Sequence, residues 1–233
     1  MIKDKTILAI IPARGGSKEL PGKNIKEIAG KPLIAWTIED AKRSKYLDRI
    51  ILSSDNDEII NIAKEWGCDV PFKRPANLGQ DNSLSIDYIL HAIESLNEKY
   101  DYICLLQPTS PLRGVKNIDA CIEKCISNNV DSCVSIIEVD KHPNWMYRID
   151  KDSTLILYET NDIIARRQDL SKVYSLNGAI YITKVDTLLD QKKIISTGAI
   201  GYIMHKRNSV DIDNEMDFKI AELLIERKIK NES

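Results

Sequence analysis

Short apolar runs alternate along the chain with longer stretches whose apolar residues recur every three or four positions. The first run, Ile7 to Ile11, is unbroken and short enough for a strand buried on both faces. Further strands are predicted over Arg49 to Ser54, Tyr102 to Leu106, Ser132 to Ile137, Val173 to Thr183 and Gly201 to His205. Helical spacing fills the intervals. One helix has Pro32 in its first turn and runs to about Ser44. Another spans Asp57 to Trp66, with Gly67 as its stop. A long one is capped by Ser83 and repeats Ile86, Ile89, Leu90, Ile93 and Leu96. Others are expected over Val115 to Ser127, Val185 to Leu189 and Glu215 to Lys228. This alternation predicts an α/β chain, a three-layer arrangement around a mostly parallel sheet. The pattern breaks at about 139–172, where polar and aromatic residues mix without a clear helix. That stretch is read as a small arm, an excursion from a single domain spanning 1–233.

Composition narrows the class. A chain of 233 residues, 43% hydrophobic and 29% charged, suits one soluble α/β domain. A net charge of −2 argues against nucleic acid as the main partner. No apolar run reaches spanning length and no signal peptide is read, so no membrane partner is expected. The odd set Cys68, Cys104, Cys121, Cys125 and Cys133 suggests reduced thiols and a cytoplasmic location. No histidine pair stands near Cys121 and Cys125, which disfavours zinc. No Ser/His/Asp or Cys/His set is visible, which disfavours acyl transfer and covalent hydrolysis.

Three stretches carry candidate chemistry. The first strand runs into a loop with Gly15, Gly16, Pro21 and Gly22, threaded by Arg14, Lys18 and Lys23. Glycines let backbone N–H groups approach anionic oxygens, and the cations neutralise charge, as a polyphosphate requires. The same stretch also reads as an ordinary βα loop with solvated lysines. It matches neither the nucleoside-triphosphate P-loop nor the dinucleotide fingerprint. Ligands of an open parallel sheet bind beyond the carboxyl ends of its strands. That rule selects this loop, Ser54 with Asp55, and Gln107 to Arg113. Asp55 is read as a cap for the next helix. The second stretch is Val210-Asp-Ile-Asp213. In a strand, Asp211 and Asp213 share one side, roughly 6–7 Å apart, and a hard cation such as magnesium would relieve their repulsion. The competing reading is a solvated pair at the start of the last helix. The third is Ala165-Arg-Arg-Gln-Asp169, followed by Asn177-Gly178. An arginine there can grip a carboxylate in bidentate fashion, or simply be solvated. Asn177-Gly178 is either a hairpin turn or a point of close approach within a strand.

The motifs IIPARGGSKELPGKN, RPANLGQDNS, LLQPTSPLR, RRQD, NGAIYI and VDIDNEMD occur in an order and spacing that covers nearly the whole chain. Together they resemble the CMP-sialic acid synthetase (acylneuraminate cytidylyltransferase) family, which activates sialic acids and related nine-carbon sugars. The resemblance implies a Rossmann-like fold of the nucleotide-diphospho-sugar transferase type, CTP as donor, Mg2+ as cofactor, and a homodimer joined through a dimerisation arm. By resemblance, Arg14, Gly15, Ser17, Lys18, Lys23 and Asn24 hold the CTP phosphates. Arg74 stands beside the cytosine with Ser83 or Ser85 near. Gln107, Arg167, Asn177 and Tyr181 belong to the sugar site. Asp211 and Asp213 form the metal pair, and with Arg14 and Lys23 carry catalysis. The implied reaction transfers CMP from CTP to the anomeric hydroxyl of a 2-keto-3-deoxy sugar acid, a nonulosonic acid, and releases pyrophosphate. Rival readings are another acceptor, such as pseudaminate or 3-deoxy-octulosonate, and a non-catalytic nucleotide-binding module. The acidic pair argues against the module. Glu19 and Ser171 depart from the family pattern. The stretch PGKNIKEIAGKPLIAWTIE is more similar to the legionaminate branch than to the N-acetylneuraminate enzymes.

Overall fold

The computed structural model describes residues 2–17, 19–158 and 170–232. In chain order the first half comprises β1 (Ile7–Ala13), β2 (Glu27–Ile28), β3 (Lys31–Pro32), α1 (Leu33–Lys42), β4 (Arg49–Ser54), α2 (Asp57–Glu65), α3 (Ser85–Glu94) and β5 (Tyr102–Leu106). The second half comprises α4 (Val115–Ser127), β6 (Ser132–Glu138), β7 (Tyr147–Ile149), β8 (Leu155–Leu157), β9 (Tyr174–Lys184), α5 (Val185–Gln191), β10 (Ile200–Ile203) and α6 (Glu215–Glu232).

Every residue of β1 is buried, as its unbroken apolar run requires. The main sheet has the order β10-β6-β9-β5-β1-β4. β4 and β5 run parallel to β1, and β10 parallel to β6. Only β9 is antiparallel, wedged between β5 and β6. Alternation along β1 divides the core. Ile7, Ala9 and Ile11 pack with Ile34 and Ile38 of α1, Ile60 of α2 and Ile122 of α4. Leu8 and Ile10 pack with Ile89 of α3 and Leu188 of α5 on the other face. Each such side chain contributes about 1.5–3 kcal/mol when fully buried. A third cluster seats α6, through Phe218, Ala221 and Ile225, against Leu20, Ile28, Leu33 and Ile212.

Several local expectations need correction. Pro32 precedes α1 rather than lying in its first turn, and pairs with Glu27 in the β2–β3 hairpin. Ser83 does not cap α3. Its hydroxyl donates to the Asn77 carbonyl and accepts from the Gln80 N–H, leaving Leu84 at the cap position. Asp55 does not cap α2. Asn56 does, its Oδ1 accepting from the Ile59 N–H at 3.0 Å. The segment carrying Asp211 and Asp213 lies outside the sheet; its Ile212 N–H donates to the Thr109 carbonyl. Of the two readings of Asn177-Gly178 the strand one holds: the pair lies within β9, where its register with β6 shifts. The chain leaves the main sheet after Glu138 and returns at Tyr174, and between them β7 and β8 form a separate antiparallel hairpin. No helix among the described residues is long and apolar enough to cross a membrane.

Candidate active site

Parallel β1, β4 and β5 point their carboxyl ends to one edge, and the loops leaving them meet there. They enclose a cleft of about 240 Å³. Arg14, Ser17, Lys23 and Asn24 line it from the loop after β1, Gln107 and Thr109 from the loop after β5, and Arg74 and Ser83 from the segment leading to α3. Eight of the residues named for the site from the sequence, Ser85 among them, thus line one cavity. Lys18 and Arg167 lie outside the described residues.

The loop after β1 is held from beneath. Asn24, itself buried, donates from Nδ2 to the Arg14 carbonyl at 3.1 Å. Arg14 Nη1 pairs with Asp81 Oδ1 at 2.5 Å across the cleft. The Gly15 N–H points to Asp55 Oδ1 at 3.3 Å. Arg74 is 3% exposed, and its Nη2 donates to the same Asp55 oxygen at 2.9 Å. The Arg74 guanidinium also lies 5.4 Å from the centre of the Tyr88 ring. Its Nε is buried without a partner among the described residues.

The acidic pair stands at the side of this cleft, joined to it by Lys23. Lys23 Nζ donates to the Ile212 carbonyl at 2.5 Å and stands 3.6 Å from Asp213 Oδ1. Ile212 is fully buried, whereas Asp213 is largely exposed and Asp211 half-buried. Burial pushes the Asp211 carboxyl up from its ordinary value; a hydrogen bond from Thr109 opposes this, and neighbouring Asp213 adds to it. Asp211 Oδ1 is buried with no hydrogen-bond partner among the described residues. Gly178 has φ +73°, and a Cβ there would lie 3.0 Å from Asp211 Oδ2. The close approach expected of that glycine is therefore to the carboxylate.

Asn177 and Tyr181 lie away from the cleft lining. Asn177 is buried; its Oδ1 accepts from Ser135 Oγ at 2.6 Å and its Nδ2 donates to Ser209 Oγ at 3.0 Å. Burial raises the Tyr181 hydroxyl pKa, with a smaller push from Asp211.

Comparison with known proteins fits this geometry. A family model described as "Cytidylyltransferase" matches residues 8–221. The chain belongs to the cytidylyltransferase family. It is therefore a nucleotidyltransferase, with the cleft at the strand ends as its candidate active site. It is 34% identical over 229 residues to a pseudaminic acid cytidylyltransferase of Campylobacter jejuni, covering 97% of this chain and 98% of the relative. It is 34% identical over 226 residues to the CMP-N,N'-diacetyllegionaminic acid synthase of Legionella pneumophila, covering 94% and 96%. An N-acylneuraminate cytidylyltransferase of Streptococcus agalactiae is 36% identical over 213 residues, which are 91% of this chain and 51% of that one. The fold matches a CMP:2-keto-3-deoxy-manno-octonic acid synthetase complexed with CTP, with a TM-score of 0.73 at 16% identity, over 96% of this chain and 99% of that one.

The structure of this cytidylyltransferase gives roles to residues for which the sequence supplied none or another one. Asp55 ties two loops of the cleft, Asp81 faces Arg14, and Tyr88 backs Arg74. Thr109 anchors the acidic segment. Arg113, last of the QPTSPLR motif, is fully buried and bonds the Gln107 carbonyl from inside the molecule. For Asp55 a signal was present, since it follows a strand on the ligand edge, but a neighbouring asparagine competed for the same capping role.

Proposed function

We propose that this cytidylyltransferase transfers CMP from CTP to the anomeric hydroxyl of a nonulosonic acid and releases pyrophosphate. The observation that carries the reading is the juxtaposition at Lys23. This side chain faces the basic cleft and is also joined to the segment holding Asp211 and Asp213. The relatives at 34% identity are named for pseudaminic and diacetyllegionaminic acid, which supports the acceptor class. Within it, the stretch from Pro21 to Glu39 favours N,N'-diacetyllegionaminate over N-acetylneuraminate.

Arg14, Lys23 and the N–H groups of the loop after β1 neutralise the triphosphate. Lys18 belongs to the same set. Arg74, which lines the cleft, stands beside the cytosine, whose O2 and N3 accept hydrogen bonds where uracil turns an N–H outward at N3. Gln107 and Arg167 orient the sugar, the arginine through the sugar's carboxylate. Asn177 and Tyr181 serve the sugar side by fixing the bulged part of β9 beneath it. The sugar oxygen forms the new bond to the α-phosphorus as the α–β bridging bond breaks. The electron pair leaves with pyrophosphate, and the hydroxyl proton passes to solvent water. The protein's contribution is positioning and charge stabilisation.

The donor set fits magnesium. Magnesium takes one or two carboxylates and completes its shell with phosphate oxygens and water. Among the described residues no group of three potential metal-ligating side chains occurs, so the remaining ligands fall to substrate and solvent. Half-buried Asp211, whose Oδ1 has no partner among the described residues, and exposed Asp213 would hold it. When bound, the ion supplies charge neutralisation at the reacting phosphate. The enzyme is a homodimer, joined through the β7–β8 arm.

The test is a pyrophosphate-release assay with CTP, Mg2+ and a panel of N,N'-diacetyllegionaminate, pseudaminate, N-acetylneuraminate and 3-deoxy-octulosonate. Turnover of one of the three nine-carbon acids is expected. Turnover of 3-deoxy-octulosonate alone, or of none of the four, refutes the acceptor class.

A further inference from the structure

We infer that Asp55 is a positioning residue that sets the spacing between the nucleobase arginine and the phosphate loop. The inference rests on the CTP reading above. One oxygen, Asp55 Oδ1, accepts from both the Gly15 N–H at 3.3 Å and Arg74 Nη2 at 2.9 Å. These donors come from different loops, one after β1 and one from the segment preceding α3. Gly15 stands next to Arg14 on the phosphate loop; Arg74 lines the same cleft. A single carboxylate therefore fixes both ends of the nucleotide site relative to each other.

The surroundings hold Asp55 to this task. Its side chain is 17% exposed and that of Arg74 is 2% exposed, so solvent screens the pair little. The Arg74 N–H donates to the Ser54 carbonyl at 2.8 Å, bringing the Arg74 backbone beside the end of β4. Tyr88 lies against the Arg74 guanidinium. With Nη2 held by Asp55, the Nε edge keeps a fixed direction and remains free of any partner among the described residues. Asn56 takes over the cap of α2, which releases Asp55 from the helix.

Gly79 closes the other side. A Cβ on Gly79 would lie 2.4 Å from Asp55 Oδ2 and 2.7 Å from its carboxyl carbon. Its φ is not in the left-handed region, and the three atoms nearest that Cβ all belong to the Asp55 carboxylate. Alanine at 79 must push Asp55 away from its two donors.

The experiment measures CTP and UTP binding by calorimetry and CTP kinetics for Asp55→Asn, Gly79→Ala and the double variant, beside the unaltered enzyme. A hydrogen bond to a charged group sets the scale, so Asp55→Asn should weaken CTP binding roughly ten- to hundredfold. KM for CTP should rise more than kcat falls, and the preference for CTP over UTP should shrink. Gly79→Ala should shift the same quantities in the same direction. The double variant should be no worse than the poorer single one, because both act on one carboxylate. An unchanged CTP/UTP preference, a loss confined to kcat, or additive single effects would each overturn the role of Asp55. Should Asp55→Asn not fold, Gly79→Ala alone decides by the same preference ratio. Calorimetry reads CTP binding directly, so failure of every acceptor sugar leaves this test standing. Absence of CTP binding by the unaltered enzyme refutes the inference together with the CTP reading.

Discussion

Arg113 has no exposed surface, and its side chain bonds neutral oxygens. Nη1 donates to the Gln107 carbonyl at 3.1 Å and the Ala179 carbonyl at 2.8 Å, and Nη2 to Thr37 Oγ1 at 2.9 Å. One side chain thus pins the loop carrying Gln107 to both β9 and α1. Burial pushes its pKa down to about 10, with Asp40 opposing, so it remains charged at neutral pH. Arg113→Met fills similar space but leaves the two carbonyls and the hydroxyl without their donor. Such losses come to about 3–5 kcal/mol. For a chain of this size that is a fall of roughly 6–20 °C in Tm. Calorimetric melting checks it; a fall under about 2 °C would show that water or neighbours replace the arginine. Nothing in the sequence announced this role, because arginine is among the residues least often buried. Asp55 was hidden differently: the chain offers two adjacent capping residues, and only hydrogen-bond geometry assigns the cap to Asn56. The cations of the cleft were legible, since a buried strand running into Arg14, Lys18 and Lys23 confines charge to one edge.

At the scale of elements, Asp101 joins the starts of β1 and β5. Its Oδ2 accepts from the Thr6 N–H at 2.9 Å and Thr6 Oγ1 at 3.0 Å, and its Oδ1 from Lys5 Nζ at 2.9 Å. The Thr6 N–H, then Lys5, hold this carboxyl below its ordinary 3.8. The folded protein therefore binds this proton less tightly than the unfolded chain. The resulting stability is complete above the unfolded value and is lost as pH falls through the lower folded one. Asp101→Asn should reduce stability near neutral pH by on the order of 1 kcal/mol, a figure discounted for a side chain one-third exposed. The gap should narrow below about pH 4, and urea melts at neutral and acid pH measure it. A gap independent of pH would assign the loss to packing. The strands were legible because runs buried on both faces leave an unbroken apolar signature, as in β1 and β5. The direction of β9 was not. Among the described residues it follows the β7–β8 hairpin and no α-helix, so the rule that makes βαβ strands parallel does not act on it. The Asp211–Asp213 segment was read as a strand from alternation alone; its ties, Ile212 N–H to the Thr109 carbonyl and Lys23 Nζ to the Ile212 carbonyl, are long-range contacts that no local pattern encodes.

At the scale of the molecule, the site draws on both ends of the chain, and only the resemblance joined Arg14 and Lys23 to Asp211 before the fold did. The β7–β8 arm raises the remaining question of assembly. A two-stranded hairpin is marginal by itself in water. This one exposes Tyr147 at 47%, Ile149 at 73%, Leu155 at 60% and Ile156 at 50%, flanked by Met146 and Tyr158. Large apolar residues clustered in this way mark a surface that a partner covers. A stable interface buries about 800 Å² on each partner, which a hairpin can supply if it lies along a second copy. Ile149→Lys with Leu155→Glu places an opposite-charge pair at the two most exposed of these positions, which face each other across the hairpin; the pair suits the isolated hairpin but is costly to desolvate in an interface. Light scattering should then give one chain, 26.4 kDa, in place of twice that mass. A native circular dichroism spectrum would show that the domain persists. The segment with Arg167 follows the hairpin in sequence, so the loss of pairing should raise KM for the sugar more than KM for CTP. A double-charged variant that still elutes at twice the chain mass would remove the arm from the interface, whatever its effect on activity.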